Sequence, residues 1–178
     1  MQSTAVPRVI TNPLSGERIV VRQSGDETRG ELLAFDLYLP AGARVPSGHT
    51  HPTQTERFAV ISGQLRFRLG RRVVRAVAGE SVSVPPGTPH WFRNDGPGET
   101  HALVEVRPAL RMQELFWESG HLGEVRLFGL HLPAPRALAR FLREFDHEVA
   151  VPFLPRWLVR PLLLLLVGLP TDRRWVGG

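Results

Sequence analysis

The 178-residue chain contains no cysteine and no lysine; all 22 of its basic residues are arginine. Without cysteine there is no disulfide framework, no thiolate zinc or iron–sulfur site and no thiol nucleophile. Without lysine there is no Schiff-base chemistry, no pyridoxal phosphate anchor and no Walker-type phosphate lysine. Long apolar runs are missing too. The most hydrophobic stretch, Leu162 to Leu169, is eight residues between Pro161 and Pro170, far short of the ~20 needed to span a bilayer. Met1 to Pro13 has no apolar core of a secretion signal, so the expected compartment is the cytoplasm.

What is present is an ordinary globular composition. Apolar residues make up 42% of the chain, enough for one sizeable core. The formal net charge is +5. Acidic residues are interspersed among the arginines almost throughout. The densest group, Arg66, Arg68, Arg71, Arg72 and Arg75, alternates with Leu65, Phe67, Leu69, Val73 and Val74. That pattern is the solvated face of a hairpin, and no DNA-binding helix pair accompanies it, so no nucleic-acid partner is expected. All-arginine usage points to a GC-rich genome.

Residues 17 to 107 carry strand periodicity. Leu33, Phe35, Leu37 and Leu39 alternate with their neighbours, as do Glu56, Phe58, Val60 and Ser62. Gly63, Gly70-Arg71 and Pro85-Pro86-Gly87 punctuate the run. Short strands with such spacing predict a mainly β sandwich or barrel. After Pro108 the pattern changes. A short helix is expected at Met112 to Trp117 and an amphipathic one from Leu138 to Val149, marked by Pro133, Pro135 and Pro152. A last helix is expected over Trp157 to Val167. The expected division is a β-barrel with its N-terminal strands over 1–108 and a helical extension over 109–178. The apolar sides of that extension must be covered. Packing on the barrel or on a partner subunit, giving a homodimer, is expected; membrane contact is disfavoured.

The chemistry-bearing segment runs from Gly42 to Asn94. His49 and His51 lie two apart, which places both imidazoles on one side of a strand. Glu56 opens the following strand, and His90 follows the turn at Pro85-Pro86-Gly87. In a closed sheet all four can point inward. Three neutral imidazoles and one carboxylate suit one divalent transition metal ion, whether Mn, Fe, Ni, Cu or Zn.

The spacing is His49-x-His51-x4-Glu56-x6-Gly63, followed by Gly79-x5-Pro85-x-Gly87-x2-His90-x3-Asn94. These segments resemble the two motifs of the cupin family. One departure precedes them: six residues separate Gly42 from His49, where the family has one fewer. The resemblance covers roughly residues 30 to 107. It implies a double-stranded β-helix, or jelly-roll barrel, with metal ligands His49, His51, Glu56 and His90. It further implies turn roles for Gly63, Gly79 and Gly87, and an Asn94 that ties the second turn together. Inward neighbours Phe58, Val60, Phe67, Val84, Phe92 and Val104 are then candidates to line a pocket for a small, rather apolar ligand. The segment from Pro108 on is similar to the leucine-rich helical tails of some bacterial cupins, which brings no activity with it. The expected function is a metal-dependent oxygenase of a small organic substrate, with Glu56 available as a base. A non-redox isomerase and a non-catalytic binding or sensing module are the alternatives.

Overall fold

A computed structural model describes residues 8–13, 15–45, 48–122, 124–127, 130–133 and 135–152. Strands β1 (Val9–Thr11), β2 (Arg18–Gln23), β3 (Leu33–Leu39), β4 (Thr55–Ser62), β7 (Ser81–Val84) and β9 (Thr100–Arg107) form one sheet in the order β1-β2-β3-β9-β4-β7. Strands β5 (Gln64–Leu69), β6 (Arg72–Val77) and β8 (His90–Arg93) form a second, ordered β6-β5-β8. Every pairing between these strands is antiparallel.

The strands alternate because one face of each sheet is dry. Phe35 pairs with Val104, Leu37 with Ala102 and Phe58 with Val104, so all these side chains share the inner face of the large sheet. From the small sheet, Phe67 and Phe92 pair with each other and meet Phe58 at ring-centroid distances of 5.1 and 4.9 Å. Burying each such ring contributes about 1.5–3 kcal/mol. This is the packed barrel core that the alternation predicts.

Gly63 links β4 to β5 at a φ of +78°. A Cβ there would lie 2.5 Å from Thr100 Oγ1 and 2.9 Å from the Thr100 Cα. Both the conformation and the space therefore require glycine.

Beyond the barrel, α1 (Met112–Gly120) appears where a short helix is predicted and runs a little longer. It is followed by a hairpin, β10 (Glu124–Leu127) with β11 (Leu130–Pro133), that the sequence reading did not assign. The alternating Val125, Leu127, Leu130 and Leu132 are the signal that could have shown it. Helix α2 (Pro135–Glu144) starts three residues before the expected Leu138, at a proline expected to precede it, and stops short of Val149. The physical reason is tertiary: the chain turns at 145–148 so that Ala150 can pair with Thr50 in both directions, at 3.1 and 2.8 Å. Phe145, at that turn, is buried with the barrel core, as are Met112 and Leu115 of α1. The predicted helix over Trp157 to Val167 lies outside the described residues. No helix among the described residues is long and apolar enough to cross a membrane.

Candidate metal centre

Four chain segments place the inward polar side chains. His49 and His90 face each other in a two-way backbone bridge, His49 N to His90 O at 3.0 Å and the reverse at 2.9 Å. The Gly87 amide donates to the His51 carbonyl at 2.8 Å, which pins the Pro85–Gly87 turn beneath the first histidine pair. Glu56 sits on the inner face of β4, opposite Val84 on one side and Val106 on the other. Asn94 closes the second turn: its side-chain amide donates to the carbonyls of Leu39 and Gly98, and its oxygen accepts from the Gly96 amide.

The result brings together all four residues expected to bind metal. One ligand atom from each of His49, His51, Glu56 and His90 lies within 4.8 Å of the others. His51, Glu56 and His90 are buried, and His49 keeps part of its surface accessible.

Hydrogen bonding fixes which ring nitrogens point inward. His90 Nδ1 is 3.0 Å from the Thr88 carbonyl, and His51 Nδ1 is 2.5 Å from the Glu148 carbonyl. A carbonyl only accepts, so both Nδ1 atoms carry the proton. Both Nε2 atoms are then left facing the Glu56 carboxylate. His90 Nε2 is 2.9 Å from Glu56 Oε2, and His51 Nε2 is 3.5 Å from the same oxygen. The longer approach is an electrostatic contact without hydrogen-bond geometry, so His51 Nε2 is buried without a hydrogen-bond partner. Lone pairs of two imidazoles and a carboxylate converging on one point repel unless a proton or a cation lies between them. A metal ion satisfies all of them at once. Imidazoles whose outer N–H is anchored on a backbone carbonyl are the usual arrangement of metal-bound histidine. The residues present therefore fit a divalent ion.

The protonation preferences follow the same geometry. Burial lowers the His49 pKa to about 3, helped by the charges of His51 and His90, so its ring is neutral. Burial acts downward on His51 too, but the adjacent Glu56 carboxylate, with the Glu148 carbonyl, outweighs it and leaves the ring above its ordinary value. Burial acts upward on Glu56. Together His51 and His90 overcome it and hold the carboxyl well below the usual range.

The Glu148 carbonyl is the functional group that sequence reasoning missed. It lies 97 positions from His51, and no spacing rule connects a backbone carbonyl to a ring that far away. The hydrophobic candidates Phe58, Val60, Phe67, Val84, Phe92 and Val104 are all buried inside the barrel. The three phenylalanines pack on one another, with centroids 4.9 to 5.7 Å apart. His101, by contrast, lies on the outer face of β9, where its Nε2 meets Asp36 Oδ1 at 2.8 Å.

Comparison with known proteins agrees with this layout. Residues 35–106 match the family model of the cupin domain. No curated protein matches the sequence. Among solved structures, a predicted oxalate decarboxylase from Thermotoga maritima superposes with a TM-score of 0.52 at 20% identity, covering 61% of this chain and 96% of that one. A Klebsiella pneumoniae protein with a double-stranded β-helix domain aligns with a TM-score of 0.49 at 20% identity, over 62% of this chain and 92% of the other. The DMSP lyase DddQ from Ruegeria pomeroyi is 33% identical over 46% of this chain and 40% of its own length, with a TM-score of 0.40. The Thermotoga superposition bears on the fold. Both motifs, the barrel that carries them and the family match identify residues 35–106 as a cupin domain.

Proposed function

We propose that the protein is a metal-dependent enzyme acting on a small organic substrate, with an oxygenase as the reading best suited to the donor set. The observation that carries this is the convergence of His49, His51, Glu56 and His90 within 4.8 Å, with the His51 and His90 lone pairs turned inward. A bound divalent ion supplies Lewis acidity there and, if it is redox-active, one-electron chemistry. Three neutral nitrogens and one carboxylate leave positions open on an ion that prefers five or six ligands, and several ions of the Mn-to-Zn series suit them.

The protein's own groups do the rest. His49 is the ligand residue with accessible surface, so substrate approaches from its side. Phe58, Phe67 and Phe92, buried and packed on one another inside the same barrel, keep water out of its interior. With Val60, Val84 and Val104 they make the proposed surroundings of the site apolar, which favours a small, weakly polar or aromatic substrate. Glu56 is an ionised carboxylate able to take a substrate proton at Oε2.

Metal analysis of the purified and reconstituted protein, followed by oxygen uptake with a panel of enols, catechols and flavonols, tests this. One ion per chain and uptake lost in both His49→Ala and His90→Ala are expected. Failure to bind any ion in the Mn-to-Zn series overturns the reading at its base. Stoichiometric metal with no turnover across the panel overturns the oxygenase and favours a binding or sensing module, or an isomerase if substrate rearranges without oxygen.

A further inference from the structure

The outer face of the three-stranded sheet holds an arrangement that the hairpin pattern alone does not show. In the β5–β6 register Arg66 is opposite Arg75, and in the β5–β8 register Arg66 is opposite Arg93. Arg93 is in turn bridged to Arg44. Cross-strand partners share a face. Arg75, Arg66, Arg93 and Arg44 therefore form one straight row across four chain segments, on the side opposite the histidines. At a strand spacing of about 4.8 Å the row is about 14 Å long.

Like charges set directly opposite one another are destabilising, and this row has little to offset them. Among the described residues one carboxylate reaches it: Asp95, 3.4 Å from the Arg75 guanidinium and 3.9 Å from that of Arg93. Asp95 is partly committed to Gln64, which donates to it at 3.2 Å. The Nε atoms of the two central arginines, Arg66 and Arg93, are buried and meet no acceptor. The rest of the row is open, with the Arg93 and Arg75 side chains 41% and 67% exposed, and phosphate oxygens match the fork of a guanidinium in two-point contacts.

We propose that this row is a binding site for a short linear oligophosphate, at least three phosphoryl groups long, lying across the strands. Four guanidiniums against one carboxylate leave an excess of three positive charges in a line. A chain of closely spaced phosphates meets that charge density group by group. A single-stranded nucleic acid fits less well. Its sites pair a basic groove with several stacking aromatics, and this face offers Trp91, half-buried in the next row opposite Arg68. The proposal stands apart from the metal centre, because these side chains leave the opposite face of the sheet.

Titration of the full chain with sodium tripolyphosphate, followed by calorimetry and by the arginine side-chain Nε–H signals in NMR, tests it. Saturable one-to-one binding is expected, with shifts of the Arg66 and Arg93 Nε–H resonances. It should weaken about tenfold or more between about 50 and 200 mM salt. Arg66→Gln/Arg93→Gln should lose at least about tenfold in affinity. Arg57→Gln, a control on β4 whose partner is Glu105, should be unchanged. Should the central pair be needed for folding, Arg44→Gln/Arg75→Gln at the two exposed ends decides, with a loss of about threefold or more expected. No saturable binding, or unchanged affinity in the foldable double variant, overturns the site. Tighter binding of oligodeoxythymidylate or of phosphatidylglycerol vesicles than of tripolyphosphate, lost in the same variants, overturns the ligand class and assigns the row to nucleic acid or to a membrane surface.

Discussion

Two histidine–carboxylate clusters lie on opposite faces of the same sheet. Inside the barrel, Glu56 meets His51 and His90. Outside it, Asp36 meets His101 through Oδ1 at 2.8 Å and Arg22 through Oδ2 at 2.5 Å. The outer cluster is closed: each carboxylate oxygen has a donor. His101 stacks on Tyr38 at 4.5 Å, and Arg18 covers the Tyr38 ring at 3.8 Å. The inner cluster is open, because its imidazole protons are spent on backbone carbonyls and its lone pairs have no donor. The same residue types thus give a structural brace where donors balance acceptors, and a candidate cation site where acceptors are in excess. Glu17 is a third case. It is buried beside Asn12, whose amide reaches it at 3.4 Å, and burial raises its pKa to about 7 despite that contact.

Experiments can break or sharpen this contrast. The largest effect is expected at the open cluster. Glu56→Gln should weaken metal binding by more than about 100-fold, beyond what loss of an outer partner costs, while Asp36→Asn leaves metal affinity unchanged. Calorimetric titration of both variants with one ion measures this, and equal losses would erase the distinction.

Next comes Glu17. Its folded pKa lies above the ordinary 4.5, so the native state holds the extra proton between pH 4.5 and about 7. Stability therefore falls as pH rises through that window, by roughly 3 kcal/mol. Urea unfolding at pH 5 and pH 8 should show wild type losing roughly 3 kcal/mol relative to Glu17→Gln over that interval, a difference from which the His49 titration cancels.

Ala150→Pro removes the amide that donates to Thr50 at 2.8 Å. By loosening the turn that presents the Glu148 carbonyl, it should weaken metal binding about tenfold. Unchanged affinity would show that His51 needs no anchor.

The smallest effect is expected at the closed cluster. Asp36→Asn should cost about 1 kcal/mol, since Arg22 remains mostly in water and the pair is screened. Burial acts upward on Asp36, but Arg22 and His101 hold its pKa below the ordinary value. Its contribution is therefore present above the ordinary carboxylate pKa and lost as pH falls. The difference between wild type and Asp36→Asn should vanish in acid.

The barrel was legible in sequence through local periodicity, and the candidate ligand set through the resemblance of two motifs to the cupin family. Alternation placed Phe58, Val60 and Val104 inward, and two motifs of fixed spacing named His49, His51, Glu56 and His90. What was not legible depends on pairing between distant segments. The arginines of β5 and β6 read as a solvated hairpin face, since nothing local announces that Arg93 and Arg44 extend their row. Nor did helical periodicity past Glu144 reveal the turn at 145–148, because a bridge to Thr50 overrides it.

That bridge gives the chain beyond the barrel a thermodynamic hold on the site. If a metal ion binds more tightly when the Glu148 carbonyl orients His51, then the turn docks more tightly when metal is bound, by the same factor. Hydrogen exchange at the Thr50 and Ala150 amides should slow on metal addition by the ratio of affinities with the turn docked and released. On that reading, a partner engaging Ala150 would change metal affinity without touching any of the four candidate ligands.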